Sequence, residues 1–309
     1  MTTYQLPDPG YTDADDLRHR PEPGGRQRDS LFWQVVMPDE QLAVQIYLYL
    51  TSGGRAGFNV MVWGPDGLVA KKFGDGRIPE EADLDDFTFE GLSVRQPELR
   101  RTAEVRFASE GLTVHYDFEA VHEAFSYRQN PDGLPSWFAD NRLEQSGRVR
   151  GFVEFGGRRV EFDRMGHRDH SWGLRDWHMP QHWKWLIAYT ESGLVVNGWI
   201  FLAKGEWGFG GYVRKDGQVL PIDSIASKAE YDGDVLQRRI EAEIVDVLGG
   251  RTSLVLERFG IFRFPTRDAS EPVITEAACR ATIDGVEGAG QFETEWPGEY
   301  LRSLIGAGG

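Results

Sequence analysis

Residues 163–178 read DRMGHRDHSWGLRDWH and hold three of the seven histidines and two of the ten tryptophans. They follow two runs typical of β-strands, 149–155 and 158–164, which are separated only by Gly156 and Gly157. A Gly-Gly pair suits a two-residue turn that needs positive φ, so we predict a β-hairpin at this point. The polar stretch then continues the second strand of the hairpin.

Alternation along this strand divides its side chains between two faces. Arg168 and His170 share the face of Val160 and Phe162, whereas Asp169 points the other way. The first face begins apolar and becomes polar. Because a buried polar group left unpaired costs roughly 1–3 kcal/mol, such a face needs partners or a cavity. The pattern predicts a polar site at the bottom or mouth of a barrel.

The same residues also fit a purely structural role. Arg168 or Arg175 can pair with Asp169 or Asp176 and stack on tryptophan, which would tie two domains together. A bulge at Gly166 would invert the facing of every residue after it. The sequence leaves these alternatives open.

Composition bounds the class of protein. A chain of 309 residues is long enough for two domains with sizeable cores. The net charge of −15 argues against nucleic acid and anionic membrane surfaces, which attract basic faces. The single cysteine, Cys279, excludes an intrachain disulfide and fits a cytoplasmic location. No apolar run approaches the ~20 residues of a transmembrane segment. The oligomeric state is left open.

Strand-like runs separated by turn signals continue along most of the chain, while helical periodicity is scarce. Residues 1–29, rich in Pro, Gly, Asp and Arg, predict an irregular N-terminal arm. Similar Asp-Gly turns at 66–67 and 216–217 favour two similar domains over one large one. We therefore predict an all-β fold of two tandem antiparallel barrels with few short helices: 30–177, ending in the central motif, and 178–309.

Metal and cofactor chemistry find little support. The histidines and aspartates of the stretch are suitable ligands for zinc or iron, but His167 and His170 point to opposite faces of the strand. Ser171 directly follows His170, a poor arrangement for a nucleophilic serine. No Walker or dinucleotide-binding glycine motif is present. We expect no metal and no cofactor, which leaves acid–base chemistry.

Aromatic residues are concentrated beside the stretch. Five tryptophans lie within 28 residues: Trp172, Trp177, Trp183, Trp185 and Trp199. Any one of them is most simply a core residue. As a group beside His170 they predict the walls of a cavity for a large apolar molecule, with π faces able to stabilise a carbocation. Lys184, between two of these tryptophans, takes the opposite face of its strand.

Residues 166–177, GHRDHSWGLRDW, resemble the central signature of the lipocalin-like superfamily that includes carotenoid 1,2-hydratases and AttH-like proteins. The last strand, from Asp284 and Gly285 to Glu293, is similar to the closing strand of that group. The resemblance implies two lipocalin-like β-barrels in tandem over about residues 30–305. Members of the superfamily include hydratases of isoprenoid double bonds, cofactor-free cyclases and proteins without an assigned activity.

By this resemblance we expect a cofactor-independent hydratase, dehydratase or isomerase of a hydrophobic, isoprenoid-like substrate: a terpenoid, steroid or polyketide bound at the interface of the barrels. His170, Trp172 and Asp169 carry over from the superfamily signature. His170 would be the general acid or base, and Asp169 or Asp176 would orient it or donate the proton. A buried carboxyl keeps its proton near neutral pH because desolvation raises its pKa.

We expect the arginines and tryptophans to bind the substrate. Arg168 and Arg175 would hold a carboxylate of the protein or a polar end of the ligand. The pocket would be walled by Trp172 and Trp177, with Trp183, Trp185 and Trp199 as further lining residues. A cyclase that only folds its substrate, or a carrier without chemistry, are the alternatives. A proton-transfer enzyme needs a titratable group facing the ligand, a cyclase needs only donors and shape, and a carrier needs neither.

Overall fold

The structure, a computed structural model, describes residues 4–21, 24–268 and 270–307. The first half forms one antiparallel sheet. Its strands are β1 (Arg28–Met37), β2 (Leu42–Thr51), β3 (Arg55–Gly64), β4 (Gly67–Arg77), β5 (Asp86–Phe89), β6 (Leu92–Arg95), β7 (Thr102–Ser109), β8 (Leu112–Ala120), β9 (Phe125–Ser126), β10 (Asn141–Phe155) and β11 (Arg158–Trp172). They are ordered β4-β3-β2-β1-β11-β10-β8-β7-β6-β5, with β9 attached to β10.

This first sheet curls into a half-barrel around an apolar interior. Leu31, Trp33 and Val35 of β1 and Val160 and Phe162 of β11 belong to that interior, where they are buried. Burying a large apolar side chain stabilises the fold by roughly 1.5–3 kcal/mol. The face of β11 that begins with Val160 therefore points into the core of the first sheet.

The second half forms a closed eight-stranded antiparallel barrel. Its strands are β12 (Pro180–Tyr189), β13 (Val195–Ala203), β14 (Glu206–Lys215), β15 (Gln218–Asp232), β16 (Leu236–Asp246), β17 (Arg251–Arg263), β18 (Val273–Ile283) and β19 (Val286–Trp296), followed by helix α1 (Gly298–Ala307). Leu186, Ile240, Leu256 and Phe292 fill its interior. With 63% of residues in strands and 6% in helices, the predicted all-β, two-domain fold is confirmed.

The hairpin predicted at the Gly-Gly turn is present. Gly156 and Gly157 have φ of 55° and 79°, and β10 and β11 pair from Phe155 opposite Arg158 onward. The register continues unbroken to Asn141 opposite Trp172, so no bulge interrupts it. Side chains of β11 therefore alternate between the two faces over its whole length.

The outer face of the first sheet packs on the outer face of the barrel. Phe32, Met165, Trp185 and Tyr189 from the two sheets form one apolar cluster. The backbone N–H of Val36 donates to Tyr189 Oη at 3.2 Å across this interface. Both faces of β11 are consequently buried, one inside the first sheet and the other against the barrel.

Before β1, the described residues 4–21 and 24–27 form a segment without a strand, in which a 3₁₀ turn covers Asp13–Asp16. It nevertheless packs against the first sheet: Asp16 is fully buried, and Arg18 donates to the backbone oxygens of Glu80 and Ala82. In the described ranges, no helix has the length and apolar character needed to cross a membrane.

Candidate functional site

The interface between the two sheets encloses a cavity of 230 Å³. Nine of its lining residues are aromatic: Phe32, Tyr47, Tyr127, Phe138, Trp177, Trp183, Trp185, Trp199 and Phe264. Six charged residues also line it: Arg28, Arg142, Asp169, Arg175, Glu276 and Glu293. Concave, largely apolar sites with a few convergent polar groups are typical of ligand pockets, so this cavity is the candidate site.

Asp169 reaches the cavity from the barrel-facing side of β11. Arg142, on the neighbouring strand, donates from Nη2 to Asp169 Oδ2 at 2.9 Å and from Nε to Glu144. The same guanidinium lies 4.5 Å from the centre of the Trp185 ring. Burial raises the pKa of Asp169 to about 7, although Arg142 opposes this shift and Glu144 adds to it. Asp169 therefore exchanges a proton near neutral pH.

A hydrogen-bond network behind Asp169 joins the two sheets. Glu144 Oε2 lies 2.6 Å from His167 Nε2 and accepts from Asn197 Nδ2 at 3.0 Å. His167 Nδ1 lies 3.0 Å from Ser146 Oγ, and Tyr127 donates to Asn197 Oδ1 at 2.8 Å. These bonds occupy Glu144 and His167, so both residues position Arg142 and the sheets rather than face a ligand.

Two carboxyls stand opposite each other on the barrel side of the cavity. Glu276 of β18 pairs in register with Glu293 of β19. Trp183 donates from Nε1 to Glu293 Oε1 at 2.6 Å, and Gln291 donates to Glu276. Burial raises the pKa of Glu276 well above its usual value, and repulsion from Glu293 raises it further; burial also raises the pKa of Glu293. Because two adjacent carboxylates repel each other, this arrangement favours the protonated form of Glu276.

Arg175 adds a positive charge without a carboxylate partner. Its Nε donates to the backbone oxygen of Phe138 at 3.2 Å, and its guanidinium lies 3.9 Å from the Phe138 ring centre and 4.6 Å from that of Trp177. In the described part of the chain it forms no ion pair. Burial lowers the pKa of Arg175, and repulsion from Arg142 lowers it further, to about 10. A guanidinium without a carboxylate partner is suited to bind an oxygen atom or an anionic group of a ligand.

The cavity continues into a pocket of 470 Å³, the outer pocket, which shares Arg28 and Arg175 with it. Exposed Ser52 and Leu174 border the outer pocket, which therefore leads to solvent. At the junction, Arg28 donates to Tyr47 Oη at 3.0 Å. The mouth of the site is cationic, whereas its depth is aromatic.

His170 lies on the opposite face of β11 and does not line the cavity. It is 2% exposed, with Nε2 3.2 Å from Asp29 Oδ1 and Nδ1 3.6 Å from Asp16 Oδ1. Burial acts to lower the pKa of His170, but the two aspartates outweigh burial and raise it to about 9. Arg168, on the same face, pairs with Asp16 at 3.0 Å. This cluster anchors the N-terminal segment to the first sheet.

Asp169 and His170 lie on opposite faces of β11, because consecutive residues of a strand alternate between its faces. Trp172 is also on the His170 side: it stacks on His19 at 4.3 Å and reaches only the outer pocket. Asp176 is exposed and accepts a hydrogen bond from the backbone N–H of His178.

Six predicted residues do line the cavity: Asp169, Arg175, Trp177, Trp183, Trp185 and Trp199. Sequence reasoning missed Arg142, Glu276 and Glu293. One signal was available in β19, where Gln291, Glu293 and Glu295 alternate with residues of the barrel interior such as Phe292. That signal alone is ambiguous, since a solvent-facing strand has the same pattern.

Among the described residues, one histidine–carboxylate group converges as metal ligands would. His19, Asp29 and His170 place their ligand atoms within 4.8 Å of one another. His19 Nδ1 is 2.6 Å from Asp29 Oδ1, so hydrogen bonds already join these groups. This set differs from the sequence candidates, because His167 lies on the opposite face and His178 is exposed.

Solved structures share the architecture. An AttH-like protein of Nitrosomonas europaea aligns with a TM-score of 0.62 and 14% identity, over 87% of this chain and 91% of that chain. Kievitone hydratase from Nectria haematococca aligns with a TM-score of 0.59 and 11% identity, over 89% and 90%. CghA aligns with a TM-score of 0.60 and 13% identity, over 89% of each chain. At these identities the similarity establishes the fold, and the predicted AttH-like architecture is confirmed.

No curated protein matches the chain by sequence. The family DUF7064, described as a domain of unknown function, matches residues 12–298, which is nearly the whole chain. The half-barrel, the closed barrel and the cavity between them all lie within this match. The chain belongs to the DUF7064 family.

Proposed function

We propose that this protein is an enzyme that transfers protons to and from an apolar molecule held between its sheets, and that it hydrates or dehydrates a carbon–carbon double bond. The observation that carries the proposal is the Glu276–Glu293 carboxyl pair, which faces an aromatic cavity that also contains Asp169. A protonated carboxyl and a second carboxyl of different pKa are the groups that acid–base catalysis needs. Kievitone hydratase, named as a hydratase, has a similar fold.

In the first step Glu276 donates its proton to one alkene carbon. The π electrons form the new C–H bond, and the other carbon becomes positively charged. That charge develops beside the newly formed Glu276 carboxylate and within the aromatic walls, where Trp183 and Trp185 present π systems. Adjacent negative charge and π faces both stabilise a carbocation.

In the second step water adds to the cation. Asp169, held by Arg142, accepts a proton from the water as the C–O bond forms. Glu276 is reprotonated and Asp169 loses its proton by exchange with solvent through the outer pocket. Dehydration follows the same path in reverse, so one arrangement of groups serves both directions.

The charge distribution also supports a proposal for the class of substrate. An aromatic depth and a mouth bearing Arg28 and Arg175 suit a molecule with an apolar, isoprenoid-like body and an oxygen-bearing end. The apolar end would lie near Glu276, and the polar end near Arg175. The reacting double bond therefore belongs to the apolar end.

A cyclase is the second candidate. Arg175 lines the cavity, and its guanidinium offers N–H donors that polarise a carbonyl group of a folded substrate. This reaction needs no proton from Glu276 and adds no water. The two candidates therefore differ in the mass of the product and in their dependence on Glu276.

The test is incubation of the purified protein with prenylated phenols and terpenoid acids in water enriched in heavy oxygen, followed by mass spectrometry. A hydratase yields a product that contains heavy oxygen. A cyclase yields an isomer of unchanged mass, and a carrier returns its ligand unaltered. Conversion without incorporation of heavy oxygen across the panel would exclude hydration.

Ligand binding gives a separate prediction that needs no assay of turnover. We expect farnesol to quench tryptophan fluorescence saturably, and Trp199→Leu to weaken binding about tenfold because it removes one aromatic wall. Phe73→Leu is the matched control, since Phe73 is an aromatic residue that is 55% exposed and lies outside the cavity. Equal affinity in the two variants would place the apolar ligand elsewhere.

A further inference from the structure

The barrel itself has a further pocket, which shares no lining residue with the cavity between the sheets. It has a volume of 740 Å³ and opens at the end of the barrel next to helix α1. Its polar and aromatic lining comes from four strands and the helix: His182, Lys184, Trp207, Tyr231, Trp296 and Tyr300. The mechanism proposed above uses none of these residues.

Lys184 supplies the charge of this pocket. Trp183 and Trp185 point outward toward the first sheet, so Lys184 points into the barrel, as alternation requires. It is half-buried, forms no ion pair within the described residues, and its Nζ lies 5.7 Å from the centre of the Trp207 ring. Burial lowers its pKa. An unpaired ammonium group among aromatic rings is a receptor for an anion.

His182 supplies an acceptor. Its Nδ1 lies 2.6 Å from the backbone oxygen of Glu295, and a carbonyl oxygen can only accept, so Nδ1 carries the hydrogen. Burial lowers the pKa of His182 to about 3, so the ring is neutral and Nε2 keeps a free lone pair. His182 is 5% exposed, and Nε2 has no hydrogen-bond partner in the described part of the chain. The ring stacks on Trp296 at 3.7 Å.

Two further polar atoms from residues that line this pocket resemble His182 Nε2. Tyr231 Oη and Trp296 Nε1 are buried, and neither has a hydrogen-bond partner among the residues described. Buried polar atoms in native proteins are nearly always paired, so several unpaired atoms around one pocket indicate a missing partner. Lys184 requires that partner to offer an anionic acceptor, and His182 requires it to offer a hydrogen-bond donor.

We propose that this pocket binds a planar aromatic carboxylate that also carries a hydroxyl group. The carboxylate pairs with Lys184, and the hydroxyl donates to His182 Nε2. The ring stacks against Trp207 and Trp296, while Tyr231 Oη donates to a remaining oxygen. The site is distinct from the interface cavity, and its occupancy does not depend on the reaction proposed there.

The test is calorimetric titration of the full chain with para-hydroxycinnamate, with cinnamate, and with the methyl ester of para-hydroxycinnamate. We expect para-hydroxycinnamate to bind most tightly, the ester about tenfold more weakly because it lacks the charge, and cinnamate more weakly because it lacks the hydroxyl donor. Lys184→Met should weaken para-hydroxycinnamate about tenfold and remove its advantage over the ester.

Lys228→Met is the matched control. Lys228 is exposed on the same strand as Ser227 and Ala229, which line the pocket, but it faces away from them. Its replacement should leave binding unchanged, and thermal denaturation checks that both variants fold. Arg175→Met reports on the interface cavity and should also leave para-hydroxycinnamate binding unchanged. Absent binding, equal affinity of acid and ester in the parent protein, or loss in Arg175→Met but not in Lys184→Met would overturn the proposal.

Discussion

Glu276→Gln is expected to lower kcat by about 10²–10⁴-fold on any substrate that the protein hydrates, the usual contribution of a positioned proton donor. Glutamine keeps the volume of the side chain and its ability to accept from Gln291, but it has no acidic proton. KM should change little, since the apolar contacts of the cavity remain. The measurement is steady-state kinetics on the substrate found by heavy-oxygen incorporation.

Glu287→Gln provides the control, because Glu287 is an exposed carboxyl on β19, the strand that carries Glu293. It should leave kcat unchanged. Stability should rise or stay level in Glu276→Gln, since one of two adjacent buried carboxyls is replaced by a neutral group. Full activity of the folded Glu276→Gln protein would mean that Glu276 has no role in the reaction, and it would favour the cyclase.

The pH dependence of hydration should have two limbs. Asp169 must be ionised to accept the proton of water, so kcat should fall as the pH drops below about 7, the raised pKa of this carboxyl. Glu276 must be protonated, so kcat should also fall at high pH, where its raised pKa is finally exceeded. A profile flat through neutral pH would exclude Asp169 as the base.

His170→Gln is expected to destabilise the fold by roughly 3–5 kcal/mol, the usual cost of breaking a buried ion pair by removing one partner. The buried carboxylates of Asp16 and Asp29 lose a charged donor, and the N-terminal segment loses part of its attachment to the first sheet. Chemical denaturation measures the change. In the fraction that remains folded, kcat should be unchanged because His170 does not reach the cavity.

The difference between the parent protein and His170→Gln should depend on pH in a defined direction. The folded pKa of His170 is raised to about 9, above the unfolded value of about 6.5. Its contribution to the free energy of unfolding is therefore fully present below about pH 6.5 and is lost as the pH rises through about 9. His178→Gln, at an exposed histidine of the same stretch, should show no such difference. A large fall in kcat with unchanged stability would return His170 to a catalytic role.

The local structure of the central stretch followed from the sequence. Two adjacent glycines between strand-like runs predicted the hairpin, because glycine adopts positive φ at both central positions without steric cost. Alternation placed His170 with Phe162 on one face and Asp169 on the other. The same rule placed Trp183 and Trp185 on the face opposite Lys184. These relations depend only on the geometry of an extended chain, which is the same in every fold.

Tertiary packing decided which of those faces holds the cavity. Both faces of β11 are buried, and the His170 face is filled by the first sheet and by Asp16 from the N-terminal segment. Likewise, Glu276 and Glu293 lie on the outer face of a barrel, where carboxyls are ordinarily solvated. The first sheet covers this face and removes water from it, and that desolvation raises their pKa values. A sequence specifies that the carboxyls share a face, but their chemistry comes from the sheet packed over them.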